Sequence, residues 1–401
     1  MAIVMGLNSG SSFDGIDVVL VDIGSAEDGY PSRPKFLAGK SFPWPEKIGD
    51  QILKSFENNV SVFELCRLNY LAGAVYAECA RSLMEEQGLK PGDIEVIGYD
   101  GQTVYQEPSA REKLPDYLGC TDLVERWESG AYPCGIQIGE PSIVSVACET
   151  PVVTHFRTMD HALGGNGAPL MQFLDFVAFR DIGPAMTLNI GGIANVQIAN
   201  KDRSKMMAFD TGPGNVMIDH AMKHFFQKAY DENGSTAEIG NIDQNLLSEL
   251  QQHPYFQRPI PRSAWRLDFG STFADKIIAN YSNLSPANII TTLTEFTAWG
   301  IVRSIQDNVP NLSDFKEVIA SGGGVFNKNL MERLKENLPS GIELVTSDKY
   351  GIPAQFKEAI KFGTLAHANL NKIANNIPAA SGAACFAILG KLLLPPRMAQ
   401  V

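Results

Sequence analysis

The sequence feature that most constrains this chain is the glycine-rich segment Phe209–Asn215, which joins an apolar run to a helical pattern. Asp210 stands where the apolar run ends, so its carboxylate is expected at the mouth of a sheet. Gly212–Gly214 predicts a sharp turn, and a helix is predicted to begin near Val216 with Asn215 at its N-cap. Because a helix N-terminus favours anions, the segment predicts an anion site beside an aspartate that can act as a general base. A turn-forming or capping aspartate would leave the same pattern.

Three further glycine turns lie at Ser9–Gly15, Asn189–Asn195 and Gly322–Gly324. Glycine lets the backbone approach a phosphate closely, and successive backbone amides can bind anions. Each turn alone is also explained by ordinary turn formation or packing. Four such turns with two nearby carboxylates indicate phosphoryl transfer with a metal and a base.

The first turn offers Gly10 for backbone approach, hydroxyls from Ser11 and Ser12, and Asp14 as a ligand of Mg²⁺. An ordinary Ser/Gly hairpin is the alternative. Glu358, early in the last predicted helix, is a candidate for a second metal-site carboxylate or a solvated helix residue.

The predicted elements repeat one plan. Strands, a glycine turn and helices fill the first 150 residues, ending in a loop-rich stretch and a short helix at Pro141–Cys148. Strands at Met186–Asn189, Ala194–Ile198 and Met206–Phe209 then repeat the plan, followed by helices. The chain is therefore predicted to be a duplicated α/β protein with a cleft between its halves.

Composition limits the classes of partner. The 401 residues carry a formal net charge of −12, which disfavours nucleic acid and anionic membranes as partners. No apolar run is long enough for a membrane span, and the short apolar tail Ala383–Leu394 is expected to pack on the protein surface or on a partner subunit. The six cysteines form no C-x-x-C pair and are expected to be free thiols in the cytoplasm. His220 and His224 stand four residues apart without an evident third zinc ligand.

Read together, these segments resemble the anhydro-N-acetylmuramic acid kinase family and its relative levoglucosan kinase, in the superfamily of acetate kinase, sugar kinases, heat-shock-70 proteins and actin. The resemblance is carried, in family order, by Asn8–Asp17, Gly101–Thr103, Gln137–Pro141, Phe156-Arg157 with Asp160, Gly164–Pro169, Asn189–Asn195, Phe209–Asn215, Gly322–Gly324 with Asn327, and Lys357–Ala359. It implies two actin-like (ribonuclease H-like) domains, residues 1–150 and 151–401, with nucleotide and sugar in the cleft between them. The last helix can pack back on the first domain, and the family implies a homodimer.

The resemblance also implies ATP and Mg²⁺ as cofactors and a role for each motif. Asp210 would take a proton from a water molecule while that water attacks the anomeric carbon of a 1,6-anhydro sugar. The freed O6 of the sugar would accept the γ-phosphoryl group of ATP. Asp14 and Glu358 would support Mg²⁺. ATP would lie against Gly10, Ser11, Ser12, Asp14, Gly191, Gly192, Gly212, Gly322, Gly323, Gly324 and Asn327. The sugar would contact Asp100, Gln102, Thr103, His155, Arg157 and Asp160.

Two departures from the family pattern lie in the sugar segments. The family's His-Gly-Gln-Thr is Asp100-Gly101-Gln102-Thr103 here, and its Asp-Phe-Arg is His155-Phe156-Arg157. One hypothesis is that the two positions touch and that a His–Asp pair has been exchanged intact. Independent changes would instead alter sugar binding.

The resemblance leaves the substrate open between 1,6-anhydro-N-acetylmuramic acid, which is the commoner in the family, and levoglucosan. Asn8 and Ile352–Ala354 lean towards levoglucosan kinase. A carboxylate kinase and a non-catalytic nucleotide-gated binder are the competing functions, and the second would need a separate peptide-binding domain.

Overall fold

The computed structural model describes residues 2–10, 13, 15–260, 262–264 and 266–396. The strands are β1 (Ala2–Asn8), β2 (Ile16–Ile23), β3 (Lys35–Phe42), β4 (Ile94–Gly98), β5 (Gln102–Glu107), β6 (Cys134–Ile138), β7 (Val152–Thr154), β8 (Ala185–Ile190), β9 (Ile193–Ala199), β10 (Met207–Pro213), β11 (Glu317–Ser321), β12 (Glu343–Thr346) and β13 (Lys391–Leu393). The α-helices are α1 (Glu46–Phe56), α2 (Val62–Glu86), α3 (Leu123–Glu128), α4 (Pro141–Cys148), α5 (Phe156–Ala162), α6 (Met171–Phe179), α7 (Val216–Phe226), α8 (Ser235–Ile239), α9 (Gln244–Gln251), α10 (Arg266–Phe269), α11 (Ser271–Asn280), α12 (Pro286–Asn308), α13 (Lys328–Asn337), α14 (Lys357–Leu370) and α15 (Pro378–Ser381).

The chain divides into two compact units. The first unit comprises Met1–Phe179, Asp202–Lys205 and Phe356–Val401, and the second comprises Arg180–Lys201 and Met206–Gln355. This division differs from the sequence boundary after residue 150. The reason is that β7 pairs beside β4 and that α14 packs along β1 and β4.

The first unit is built on a sheet of order β13-β7-β4-β1-β2-β3. Strands β1, β4 and β7 are parallel, whereas β2 runs antiparallel to both β1 and β3. The run Val18–Val21 in β2 is buried throughout, as its continuous apolar pattern predicts. The tail does more than lie on the surface, because β13 adds an antiparallel edge strand to β7.

The second unit has a sheet of order β10-β9-β8-β11-β12. Strands β8, β11 and β12 are parallel, and β9 runs antiparallel to both β8 and β10. The strand order and the strand directions of this sheet are the same as those of β3-β2-β1-β4-β7 in the first unit. The repeated plan confirms the predicted fold class, an α/β protein with two halves of actin-like strand order.

Helix ends follow sequence signals. Helix α2 begins after a capping box in which Ser61 and Glu64 bond each other's backbone N–H groups. Helix α12 begins after Ser285, whose hydroxyl accepts from Asn288 N, with Pro286 at its first position. No helix within the described ranges is long and apolar enough to cross a membrane.

Two glycines fix how closely α14 lies on the first sheet. A Cβ at Gly6 would stand 2.0 Å from the carbonyl oxygen of Ala359, and one at Gly98 would stand 2.1 Å from that of Phe362. Only glycine permits this backbone contact. The start of α14 is thereby brought to the carboxyl ends of β1 and β4.

Candidate active site

Polar side chains gather where the parallel strands β1, β4 and β7 end, the usual position of ligand sites in open α/β sheets. Ser9 Oγ donates to Gln102 Oε1 at 2.5 Å and accepts from Trp44 Nε1 at 3.0 Å. Gln102 is fully buried, so the residue after β1 is tied to the start of β5. Thr103 is half-buried beside it, and its carbonyl accepts from Gln102 Nε2. Gly10 belongs to the same turn, since its carbonyl accepts from Phe13 N.

The first turn of α14 adds a carboxylate to this edge. Asn8 Nδ2 donates to Glu358 Oε2 at 3.2 Å, and Lys361 Nζ lies 4.0 Å from the same oxygen. The Glu358 side chain is 31% exposed, whereas that of Lys361 is 8% exposed. Burial lowers the pKa of Lys361, and the charge of Glu358 opposes that shift. Lys357, the preceding residue, makes a fully buried ion pair of 2.7 Å with Asp175.

Asp100 holds the start of α5. Its Oδ1 accepts from the backbone N–H of Phe156 at 2.9 Å, and its Oδ2 accepts from Arg157 Nε at 2.7 Å. His155 stands at the N-cap position with φ 54° and makes no side-chain cap bond. Burial lowers the pKa of His155, and the nearby charge of Asp100 opposes this. Positions 100 and 155 are therefore neighbours, but within the described residues their side chains form no hydrogen bond, and the exchanged pair of the hypothesis is not formed directly.

Asp160 is fully buried and does not lie at the surface of the site. Its Oδ2 accepts from Gly167 N and its Oδ1 from Ser381 Oγ, both at 2.8 Å. Burial raises the pKa of this carboxyl group, which these hydrogen bonds oppose. Arg157 also donates to the carbonyl of Gly167 at 2.8 Å. Asp160 thus shapes the Gly164–Pro169 loop beside Arg157.

In the second unit, the glycine turns meet at the carboxyl ends of β8, β10 and β11. Gly214 N donates to the carbonyl of Gly192 at 2.8 Å, and Asn215 N donates to that of Gly191 at 2.9 Å. A Cβ at Gly214 would lie 2.2 Å from the Gly191 oxygen. Two motifs separated in sequence therefore form one backbone assembly. Asn215 stands at the N-cap position of α7, as predicted, but its side chain makes no cap bond.

Asp210 lies next to a bulge in β10. It pairs with Asn195, and the register then shifts between Asp210 and Gly212, a local distortion that re-aims side chains. Its Oδ2 accepts from Ala264 N at 2.8 Å, and its carbonyl accepts from the hydroxyl of Tyr255 at 2.6 Å. Gly212 has φ 129°, a conformation that favours glycine.

Burial raises the pKa of Asp210 to about 7, although the Ala264 N–H and the charge of Arg262 both oppose the rise. Arg262 is itself buried and donates to the carbonyl of Asp210 and to Ser304 Oγ. A carboxylate with a pKa near neutrality can accept a proton and return it under ordinary conditions.

The third turn of the second unit is Gly322–Gly324, after β11. Gly322 has φ 85°, and a Cβ there would lie 2.7 Å from the carbonyl oxygen of Ile190. Around Gly323 a Cβ would meet no atom within 4 Å, so this backbone borders open space. Asn327, a predicted nucleotide contact, is buried and caps α13 by accepting from Leu330 N at 3.0 Å.

Ser11, Ser12 and Asp14 lie outside the described residues, and their predicted roles stay predictions. Sequence reasoning missed Trp44 and Lys361, which no motif marks. It also gave no role to Arg262. His220 Nε2 contacts Asp275 Oδ1 at 2.6 Å, and the described residues contain no cluster of three His, Cys, Asp or Glu side chains that could hold a metal ion.

The chain is similar to known proteins over almost its whole length. The sequence profile of the family described as anhydro-N-acetylmuramic acid kinase matches residues 2–124 and 116–395. The protein of that name from Francisella tularensis subsp. novicida is 37% identical over 392 residues, 97% of this chain and 97% of its own. The one from Bacillus cereus (strain AH820) is 33% identical over 398 residues, 98% of this chain and 99% of its own.

Similar solved structures are more distant. The activator of 2-hydroxyisocaproyl-CoA dehydratase from Clostridium difficile with bound ADPNP is 12% identical, with a TM-score of 0.44, over 92% of this chain and 96% of that chain. A ROK family glucokinase from Streptomyces griseus, in complex with glucose and AMPPNP, is 11% identical, with a TM-score of 0.37, over 91% of this chain and 99% of that chain.

Proposed function

The chain belongs to the anhydro-N-acetylmuramic acid kinase family, and from this premise we propose that it is an ATP-dependent kinase of 1,6-anhydro sugars that opens the anhydro ring as it phosphorylates. The favoured substrate is 1,6-anhydro-N-acetylmuramic acid, since the relatives are named as kinases of anhydro-N-acetylmuramic acid. The product is N-acetylmuramic acid 6-phosphate.

The observation that carries the proposal is Asp210. Asp210 lies beside the assembled glycine turns, and the pKa of about 7 that burial gives its carboxyl group suits a general base. The water oxygen forms a bond to the anomeric carbon while the bond from that carbon to O6 breaks. Asp210 takes a proton of the water, and O6 forms its new bond to the γ-phosphorus as the bond to the β-phosphate oxygen breaks.

The turns of the second unit are assigned to the nucleotide. The backbone of Gly191, Gly192 and Gly212 lies against the phosphates, where free N–H groups of these turns stabilise phosphate charge, and Gly323 offers an open backbone surface to the nucleoside. Asn327 supports that surface indirectly, because it fixes the start of the helix that follows.

In the first unit, Gly10, Ser11 and Ser12 are assigned to phosphate, and Gln102, Thr103 and Arg157 to sugar hydroxyls. Asp100 orients Arg157 through the 2.7 Å ion pair. Asp160 shapes the adjoining loop from within the protein, and His155 occupies the turn that leads into α5.

Glu358 fits a magnesium ligand. Its carboxylate is partly exposed, and Mg²⁺ usually takes one or two carboxylates together with water and substrate phosphates. Glu358 and Asp14 would hold the ion. When bound, it would neutralise charge on the transferring phosphoryl group.

The test is release of ADP from Mg²⁺-ATP with 1,6-anhydro-N-acetylmuramic acid, levoglucosan, glucose or acetate, with the product identified by mass spectrometry. We expect turnover with the first sugar and incorporation of one oxygen from ¹⁸O-labelled water at its anomeric carbon. Turnover of glucose or acetate alone would refute the proposal, and label-free product would refute the ring-opening step.

The base is tested with Asp210→Asn and, as a matched control, Asp314→Asn, an exposed aspartate of the second unit. The first variant should lose roughly 10²- to 10⁴-fold in turnover with unchanged ATP affinity, and the control should match the wild type. Loss of ATP binding in Asp210→Asn would count against the assignment.

A further inference from the structure

Lys361 is a buried cation that the mechanism above does not use. The residue is 6% exposed, and its Nζ lies 4.0 Å from Glu358 Oε2, beyond hydrogen-bond distance. It also lies 4.1 Å from the centre of the Phe362 ring. Within the described part of the chain, the ammonium group makes no hydrogen bond.

A lysine one turn earlier on the same helix has a close charged partner. Lys357 Nζ lies 2.7 Å from Asp175 Oδ1, and both side chains are fully buried. Lys361 has only a loose ion pair and a cation–π contact, which use none of its three N–H donors as hydrogen bonds. A buried charge without hydrogen bonds is costly and calls for an explanation.

The explanation for this buried charge lies in the position of Lys361. It follows Glu358 by three residues, so both side chains lie on one face of α14, the face that contacts Asn8 at the end of β1. The ring of Phe362 packs against Phe156 at 5.7 Å, and the N–H of Phe156 binds Asp100. Lys361 is thereby placed between the metal-side carboxylate and the Asp100–Arg157 pair.

Glu358 is not a sufficient partner for this lysine. Its Oε2 already accepts a hydrogen bond from Asn8 Nδ2. The same oxygen stays 4.0 Å from Lys361 Nζ, although Glu358 is the more exposed of the two side chains. Asp100 has both oxygens engaged, by Phe156 N and by Arg157. Among the described residues, neither of these carboxylates has an oxygen within hydrogen-bond distance of Lys361, which leaves the ammonium group available to an anionic ligand.

We propose that Lys361 is a substrate-binding residue whose ammonium group holds an anionic oxygen, either the carboxylate of the anhydro sugar or a phosphate oxygen of ATP. The inference rests on the proposed function, because it takes these two anions from the proposed substrates. It assigns a ligand-binding role to a residue outside all the glycine motifs.

The experiment compares wild type, Lys361→Met and a matched control, Lys47→Met, which removes the same charge from an exposed site on α1. Kinetic constants are measured with 1,6-anhydro-N-acetylmuramic acid and with 1,6-anhydro-N-acetylglucosamine, which lacks the carboxylate. Calorimetry measures the binding of each sugar and of a non-hydrolysable ATP analogue. Melting temperatures show whether each variant is folded, and Lys361→Met should melt no lower than the wild type because methionine removes a buried charge.

A carboxylate contact predicts that Lys361→Met weakens the carboxylated sugar by roughly 10- to 100-fold more than the uncharged one. A phosphate contact predicts an equal loss of kcat/KM with both sugars and roughly 10-fold weaker binding of the ATP analogue. Constants within twofold of the wild type for every ligand, as expected for Lys47→Met, would overturn the inference. If the wild type turned over neither sugar, the proposed function would fail, whereas the binding arms would still decide the role of Lys361.

Discussion

Replacing Asp210 by asparagine should stabilise the protein progressively as the pH rises, as well as remove its base. The carboxyl group keeps its proton up to about pH 7 in the folded chain because burial raises its pKa from 3.8 to about 7. In the unfolded chain the proton leaves near the ordinary value. Between these two values the folded state binds more protons, so the contribution of Asp210 to stability falls as the pH rises and is constant above about 7.

The size of the effect follows from the shift. About three pKa units at about 1.4 kcal/mol per unit give a cost of about 4 kcal/mol above neutrality, as an order of magnitude. Because the sequence pI is about 5.1, the pH range that is suitable for the unfolding measurement begins above that value. From about pH 5.5 to about pH 8 the cost should grow by about 2 kcal/mol. Asparagine has no charge to desolvate, and its side-chain oxygen can still accept the Ala264 N–H.

The assay is thermal or urea unfolding of wild type and Asp210→Asn at both pH values, with Asp314→Asn as the control. The melting temperature of Asp210→Asn relative to wild type should rise between the two conditions, and that of the control should not. The wild-type kcat/KM should climb through an apparent pKa near 7. A stability difference that does not change with pH, or a rate profile that is already flat from about pH 5, would refute the argument that Asp210 is a raised-pKa base.

Three further predictions follow from single contacts. Gly322→Ala should lower the free energy of unfolding by about 1–3 kcal/mol, because the residue has a positive φ and its new Cβ would clash with the Ile190 carbonyl. Gly323→Ala should leave the melting temperature unchanged and raise the KM for ATP. Equal melting temperatures of the two variants would contradict this prediction. Glu358→Gln should raise the Mg²⁺ concentration for half-maximal activity by roughly tenfold without lowering the melting temperature, and an unchanged Mg²⁺ dependence would remove Glu358 from the metal site. Asp100→His should lower the free energy of unfolding by about 1–3 kcal/mol, since it leaves Arg157 and a helix N–H unpaired. Adding His155→Asp should recover most of that loss, as measured by urea unfolding. A double variant no more stable than Asp100→His would show that the two positions are independent.

Much of the fold could be predicted because its elements carry local signals. The bounds of α4 agree with the predicted helix Pro141–Cys148 residue for residue, since helix start and stop signals are properties of neighbouring residues. Helix α6 was not predicted, because all nine of its residues are buried and a helix without a polar face shows no periodicity.

Elements defined by long-range pairing were also missed. The antiparallel pair β5–β6 lies in the stretch interpreted as loop-rich, and its register shifts between Thr103 and Tyr105. Strand β13 has three residues and exists through its pairing with β7. Neither has an alternating apolar pattern that a short sequence window could reveal.

The parts of the candidate site that could be predicted are likewise those with local sequence signals. Turns that follow strands could be located from sequence, and the structure brings those of each unit to one sheet edge. The contacts that tune them could not be predicted, because they join residues far apart in the chain. Asp160 bonds Ser381, and the backbone of Asp210 receives Tyr255 and Arg262. Lys361 reaches its place through the packing of α14 on Gly6 and Gly98.

The exchange of residue types at positions 100 and 155 has a structural explanation that differs from a direct pair. In the family pattern an aspartate stands at position 155, the N-cap of α5, where a carboxylate stabilises the first N–H groups of a helix. Here His155 occupies the cap without a cap bond, and the carboxylate comes from Asp100, which accepts the first N–H of the helix and also holds Arg157. The start of α5 therefore keeps its negative partner although the partner belongs to another segment. Asp100 also orients Arg157, and we infer that the two substitutions are coupled through the helix end, which the double variant tests.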